Sequence, residues 1–210
     1  MEMNNILEYL DKIIPNPVCE LNYNKDYELL IATVLSAQCT DSRVNKVTKI
    51  LFEKYPTLEK LNEAKIDDIK TIIRSCGNFN KKSIYIKEIT SKLLLEKEGK
   101  VPNDYNYLIK LPGVGRKTIN VVLSELYNKP TIAVDTHVER VSKRLNIASP
   151  NDTVLKIEEK IMKKIPENKW NRVNHQLVLF GRYFCKSINP KCQDCELKEQ
   201  CKYYKKNKIK

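Results

Sequence analysis

The sequence predicts an all-α protein. Three observations lead there. Apolar residues recur every three or four positions along nearly every segment, the spacing of one helix face. Period-two alternation, the mark of strands, is scarce. All nine prolines fall between the apolar stripes, where helices must start or stop. Roughly ten short helices and no sheet are expected.

The stripes run in order. Ile6, Leu7, Leu10, Ile13 and Ile14 share a face, as do Tyr27, Leu30, Ile31, Val34 and Leu35. Val44, Val47 and Leu51 form the next, followed by Ile66, Ile69, Ile72 and Ile73, then Ile86, Ile89 and Leu93. Ile119, Val122, Leu123 and Leu126 keep the i, i+3, i+4, i+7 pattern. Val138, Val141 and Leu145 follow, then Val154, Ile157, Ile161 and Ile165, then Val173, Leu177, Phe180 and Phe184.

Composition narrows the class. A chain of 210 residues allows one domain or two small ones. It buries about 70% of its unfolded surface and needs no disulfides for a core. With 41% hydrophobic and 30% charged residues it reads as globular, not disordered. Its longest apolar runs, Leu29–Ala32 and Leu177–Phe180, fall far short of the roughly 18 residues a membrane helix needs, so no membrane partner is expected. The first residues are acidic and polar, unlike a signal or transit peptide, so a cytoplasmic location is expected. There, clustered Cys bind metal more often than they form disulfides. Five glycines are too few for a chain rich in nucleotide-binding loops.

The net charge of +12 points to an anionic partner, nucleic acid before membrane surface. It is uneven: residues 1–30 carry −4, residues 31–160 carry +7 and residues 161–210 carry +9. The five Lys after Cys201 are expected to form a solvated tail.

Residues 111–118 read Leu-Pro-Gly-Val-Gly-Arg-Lys-Thr, between an apolar segment and the helix expected from Arg116. Glycine permits positive φ and close approach of a ligand. The free amides of the following helix N-terminus make a phosphate site. Arg116 breaks the Gly-Lys-Ser/Thr order of a P-loop. A dinucleotide loop would need a preceding strand and a third small residue. Near the end, Cys185, Cys192, Cys195 and Cys201 are spaced C-x6-C-x2-C-x5-C over 17 residues. Four such thiols hold a metal, and the spacing alone admits zinc or iron–sulfur. Cys19, Cys39 and Cys76 are scattered and are expected to be small core residues.

Leu111 to Thr118 resembles the helix–hairpin–helix motif of DNA glycosylases. The resemblance extends to Val134-Asp135-Thr136-His137-Val138-Glu139-Arg140, to Leu35-Ser36-Ala37-Gln38-Cys39-Thr40-Asp41 and to the Cys cluster. From about residue 5 to 204 the chain is similar to the bacterial endonuclease III family.

That resemblance implies two helical domains with a cleft between them. One is a six-helix domain at 20–130 with the hairpin, and the other joins 1–19 to 131–210 and carries the metal. It implies a bifunctional DNA glycosylase and abasic-site lyase acting on oxidised pyrimidines. Lys117 and Asp135 match the family's catalytic pair. Lys117 would attack the sugar C1′ and expel the base, and β-elimination from the Schiff base would cut the strand 3′ to the lesion. Asp135 would activate Lys117 and stabilise charge on the sugar. Read alone, Lys117 suits a surface contact to phosphate. Asp135 alone suits a helix N-cap beside a Thr136-x-x-Glu139 capping box, a role compatible with catalysis.

The Cys run matches the family's [4Fe–4S] signature, which holds a basic loop against DNA; Lys186 and Lys191 are the candidates there. Gly113, Gly115 and Arg116 would meet phosphate, and Gln38 would fill the gap left by a flipped nucleotide. A second wedge would come from Gly77-Asn78-Phe79-Asn80, where many members carry an apolar residue at the position of Asn78 and Phe79 is the alternative. Asp41 would lie near the base pocket or cap a helix, and His137 is assigned an orienting or packing role. The implied partner is double-stranded DNA with damaged bases or abasic sites, bound by a monomer associated with a bacterial nucleoid. The rivals are a monofunctional mismatch glycosylase of the same fold, which would lack a Lys at 117, and a non-catalytic metal-ribbon DNA-binding module.

Overall fold

A computed structural model of the chain describes residues 3–207. Among the described residues are twelve α-helices with short 3-10 and π turns, and no strand. Among the described residues no helix is long and apolar enough to cross a membrane. The chain divides into two compact units. One is Cys19–Tyr127; the other joins the segment up to Val18 with that from Asn128 onward.

Cys19–Tyr127 is built around α2 (Asp26–Leu35), in which nine of ten residues are buried. A helix apolar all round must be covered all round. Three helices cover it: α3 (Asp41–Lys54), α6 (Phe79–Lys97) and α8 (Arg116–Tyr127). Its polar groups are satisfied internally. Glu28 accepts from the Asn24 and Lys25 amides at 2.8 and 3.3 Å, and Thr33 donates to the Leu29 carbonyl at 2.8 Å. Against α6 pack α4 (Leu58–Glu63) and α5 (Ile66–Ile73). With the single turn α7 (Tyr105–Leu108) the unit has seven helices, not about six. No apolar stripe announced α4, because its six residues bury only Leu58 and Leu61.

The other unit holds α1 (Met3–Ile13), α9 (Thr136–Arg144), α10 (Val154–Lys164), α11 (Trp170–Leu179) and α12 (Lys202–Asn207). A π turn, Phe180–Phe184, prolongs α11. α1 and α11 are tied by polar contacts at one end. Arg172 donates to Asp11 Oδ1 through Nε and Nη2 at 2.9 and 2.7 Å, and Gln176 donates to the same oxygen at 2.8 Å. These donors hold the Asp11 carboxyl below its usual range. Deeper in, Tyr9 meets Phe180 edge-on at 6.2 Å, and Phe180 stacks on Phe184 at 5.2 Å. The basic stretch after Cys201 is helical over Lys202–Asn207 rather than a tail; residues 208–210 lie outside the described residues.

Candidate functional site

The hairpin turn is fixed from both sides. Asp104 caps α7 by accepting from the Asn106 and Tyr107 amides at 2.8 and 3.1 Å. Leu111 and Val114 are buried, anchoring the turn, and the Val114 amide donates to the Leu111 carbonyl at 3.2 Å. Gly113 has φ +73°, and a Cβ there would lie 2.5 Å from Tyr85 Cδ2. A Cβ on Gly115 would meet nothing within 4 Å, so its face is open to an incoming group. Next come Arg116 and Lys117, both exposed in the first turn of α8, whose amides have no helical acceptors. Thr118 and Ile119 turn into the core. Backbone donors, the positive helix end and two cationic side chains therefore share one surface.

In the other unit, Asp135 is itself the N-cap of α9. Its Oδ1 accepts from the His137 and Val138 amides, both at 2.8 Å. The capping box expected at Thr136 and Glu139 is therefore not formed. Thr136 is already helical, and Glu139 accepts from Lys143 at 2.6 Å instead. Among the described residues both hydrogen bonds of the Asp135 carboxylate fall on Oδ1, leaving Oδ2 for another partner.

His137 is half-buried, and burial holds its imidazole below the ordinary pKa of 6.5; Asp135 opposes that shift and Arg140 adds to it. Arg140 Nη2 lies 3.2 Å from His137 Nδ1 and donates to the Gly181 carbonyl at 2.6 Å, while Nε donates to the Cys185 carbonyl at 3.2 Å. Gly181 allows the π turn to press against α9: a Cβ there would lie 2.8 Å from His137 Cβ.

One turn on, Arg144 is buried and donates to the Cys185 sulfur at 3.4 Å, the Lys186 carbonyl at 2.6 Å and the Ser187 carbonyl at 3.3 Å. Its guanidinium lies 3.8 Å from the Tyr203 ring centroid. The helix capped by Asp135 is thus bolted to the start of the cysteine loop. Sequence reading missed Arg140 and Arg144, though their i, i+4 spacing was a usable signal.

Cys185, Cys192, Cys195 and Cys201 all line one pocket, together with Leu145, Phe180, Phe184, Pro190, Lys191, Lys198, Tyr203 and Tyr204. Burial pushes the Cys185 and Cys192 thiols up and carries Cys195 to about 11. Lys186, Ser187, Ile188 and Asn189 form an exposed loop between the first two cysteines, with Lys191 exposed at its far end. Among the described residues no group of three or more His, Cys, Asp or Glu side chains is placed to hold a metal ion.

Back in the Cys19–Tyr127 unit, Gln38 and Asn78 are both exposed and both left-handed, with φ of 55° and 59°. Their loops adjoin: Cys39 Sγ lies 3.6 Å from Cys76 Sγ, and Arg43 donates to the Ser75 carbonyl at 3.3 Å. So Cys39 and Cys76 are paired rather than scattered. Cys76 is buried as expected, while Cys39 is half-buried. Phe79, the alternative wedge, is half-buried against the core, and Asn78 is exposed. Asp41 is half-buried in the first turn of α3, where a carboxylate complements the helix dipole.

The HhH-GPD superfamily of base excision DNA repair proteins matches residues 31–167. The chain is 48% identical over 203 residues to the Endonuclease III of Rickettsia felis, covering 96% of this chain and 94% of that one. With the Endonuclease III of Bacillus subtilis it shares 45% over 196 residues, 92% and 90% of the two chains. A solved non-covalent endonuclease III–DNA complex superposes with a TM-score of 0.95 at 46% identity, covering 99% of this chain and 97% of that one. A trapped endonuclease III–DNA covalent intermediate gives 0.94 at 45%, with the same coverage. A thermostable thymine-DNA glycosylase gives 0.84 at 24%, covering 97% and 96%, a likeness of fold.

Proposed function

Because the chain belongs to the endonuclease III family of the HhH-GPD superfamily, we propose that Lys117 and Asp135 are its catalytic pair. The activity is that of a bifunctional DNA glycosylase and abasic-site lyase in base excision repair, acting on oxidised pyrimidines in duplex DNA. The observation that carries the assignment of the nucleophile is the setting of Lys117. It is an exposed amine on the first turn of α8, directly behind an open glycine backbone that suits phosphate.

In the first step the neutral Lys117 Nζ attacks the sugar C1′, and the bond to the base breaks with its electron pair on the base. Ring opening leaves an imine between Nζ and C1′. Loss of a C2′ proton then expels the 3′ phosphate by β-elimination, and water releases Lys117. Asp135 keeps Oδ2 for this chemistry while Oδ1 caps α9. It takes a proton from Lys117 and offsets positive charge on the sugar. Gly113, Gly115 and Arg116 hold phosphates, as do Lys186 and Lys191, and Gln38 and Asn78 fill the space of the extruded nucleotide. Asp41, in the first turn of α3, contacts the damaged base in this reading, and the protein acts as a monomer on DNA in the cytoplasm.

The family is iron–sulfur binding in general, and we assign the site in this chain to Cys185, Cys192, Cys195 and Cys201 with a [4Fe–4S] cluster. The donor set supports it: four thiols, apolar walls, and an Arg144 guanidinium beside the Cys185 sulfur. When bound, the cluster supplies structural restraint on the 186–191 loop and no bond-making step.

Borohydride trapping on abasic duplex DNA tests the reading. Wild type is expected to form a covalent adduct and Lys117→Gln none. Wild type that binds without trapping would overturn the lyase and leave a mismatch glycosylase or a binding module.

A further inference from the structure

Two thiols outside the metal site stand close together where the protein has most to gain from a switch. Cys39 follows Gln38 directly, and Cys76 lies two residues before Asn78. Their sulfurs are 3.6 Å apart. The backbones are close as well: a Cβ on Gly77 would lie 3.6 Å from the Gln38 carbonyl oxygen. Cys39 is half-buried and reachable; Cys76 is fully buried. The surroundings are cationic. Lys82, only 4% exposed, donates to the Leu35 and Ala37 carbonyls at 2.9 and 2.7 Å, and so ends α2 just before Gln38. Arg43 donates to the Ser75 carbonyl at 3.3 Å, just before Cys76. Burial pushes the Cys76 thiol up to about 12, and the Cys39 contact adds to this, but Lys82 and Arg43 act in the opposite direction.

We propose that Cys39 and Cys76 are a modification site, a dithiol that hydrogen peroxide converts reversibly to a disulfide and so locks the Gln38 loop to the Asn78 loop. The chemistry balances. The Cys39 thiolate attacks a peroxide oxygen, the O–O bond breaks, and the departing hydroxide takes up a proton to become water. Cys76 then attacks the sulfenic sulfur of Cys39; the S–S bond forms, the S–O bond breaks and a second water leaves. Two thiols lose two electrons in all, and the peroxide is reduced. The pair is separated by 3.6 Å, and a disulfide brings sulfurs to about 2.05 Å. Oxidation therefore closes the sulfur separation by roughly 1.5 Å and joins the two loops covalently. Displacing a positioning element by about 1 Å costs on the order of 10²-fold in rate. The functional half of this proposal rests on the reading of Gln38 and Asn78 as DNA-inserting residues.

The test treats the full-length, cluster-loaded protein with hydrogen peroxide and maps tryptic peptides under non-reducing conditions. Cys39 is the only cysteine in residues 26–43, and Cys76 the only one in residues 75–81. The expected product is these two peptides joined, released by dithiothreitol, and absent in Cys39→Ser. Iron and sulfide content is followed in both proteins to separate this event from damage to the cluster. Oxidised wild type should excise a lesion from duplex DNA at least about tenfold more slowly, with the rate restored by dithiothreitol. It should still cleave a single-stranded abasic oligonucleotide at the reduced protein's rate, and Cys39→Ser should be insensitive to peroxide in both assays. No joined peptide overturns the modification site. A joined peptide with unchanged duplex excision overturns the lock. If Gln38→Ala and Asn78→Ala excise from duplex DNA at wild-type rates, the DNA-inserting reading fails, while the disulfide stands or falls on the peptide alone.

Discussion

Gly113 packs its α-carbon against the ring of Tyr85, with room for no further atom: a Cβ would lie 2.5 Å from Tyr85 Cδ2 and 2.9 Å from Cε2. Its φ of +73° excludes side chains a second time. Gly115 differs, with open space where its Cβ would be. The two glycines therefore serve different ends. Gly113→Ala is expected to lose about 1–3 kcal/mol of stability. Gly115→Ala should unfold at close to the wild-type denaturant midpoint yet bind DNA more weakly. Equal midpoints for the two variants would refute this division.

Asp135 caps α9 through Oδ1, and two substitutions separate that cap from the chemistry proposed for Oδ2. Asn caps a helix as well as Asp does, whereas Ala costs about 1 kcal/mol. Asp135→Asn should keep wild-type stability and lose most borohydride trapping; Asp135→Ala should lose both. If Asp135→Asn traps DNA at the wild-type rate, the carboxylate is a cap and nothing more.

How far the sequence carried can be judged from particular residues. The helices were legible wherever one face met the core, and the hairpin because two of five glycines sit two apart. The four clustered cysteines announced a shared site by spacing alone. What escaped was decided by contacts distant in sequence. Tyr85 beneath Gly113 is 28 residues away, and Cys39 and Cys76 are 37 apart. Lys82 is a buried cation whose acceptors are the Leu35 carbonyl at the end of α2 and the Ala37 carbonyl just beyond it, 47 and 45 residues earlier. No local pattern marks such partners. Asp135 as a helix N-cap was legible in the sequence; only the Thr136–Glu139 capping box was not formed, because Asp135 takes the His137 and Val138 amides.

His137 gives a pH prediction with a definite sign. Its folded pKa is depressed from 6.5, first by burial. The unfolded chain therefore binds the proton more readily in the window below 6.5. Stability from this residue is lost as pH falls through the folded pKa and is fully present above 6.5. A histidine NMR titration should give His137 a midpoint below 6.5, and His137→Asn should flatten the rise of stability with pH over that window. A midpoint at or above 6.5 would contradict the burial seen around the ring.

The charge of +12 becomes a prediction once it has positions. Arg116 and Lys117 stand at the hairpin, and Lys186 and Lys191 on the exposed cysteine loop. Each phosphate neutralised releases counterions, so affinity for duplex DNA should fall steeply with salt, linearly in logarithms. Lys186→Ala and Lys191→Ala should each lower that slope by about 1 and weaken binding evenly across sequences. Lys186→Ala should also leave iron and sulfide content at the wild-type level, because its exposed side chain does not line the cysteine pocket. A slope unchanged by either substitution would remove the cysteine loop from the DNA-binding surface, and a slope near zero for the wild type would remove the hairpin as well.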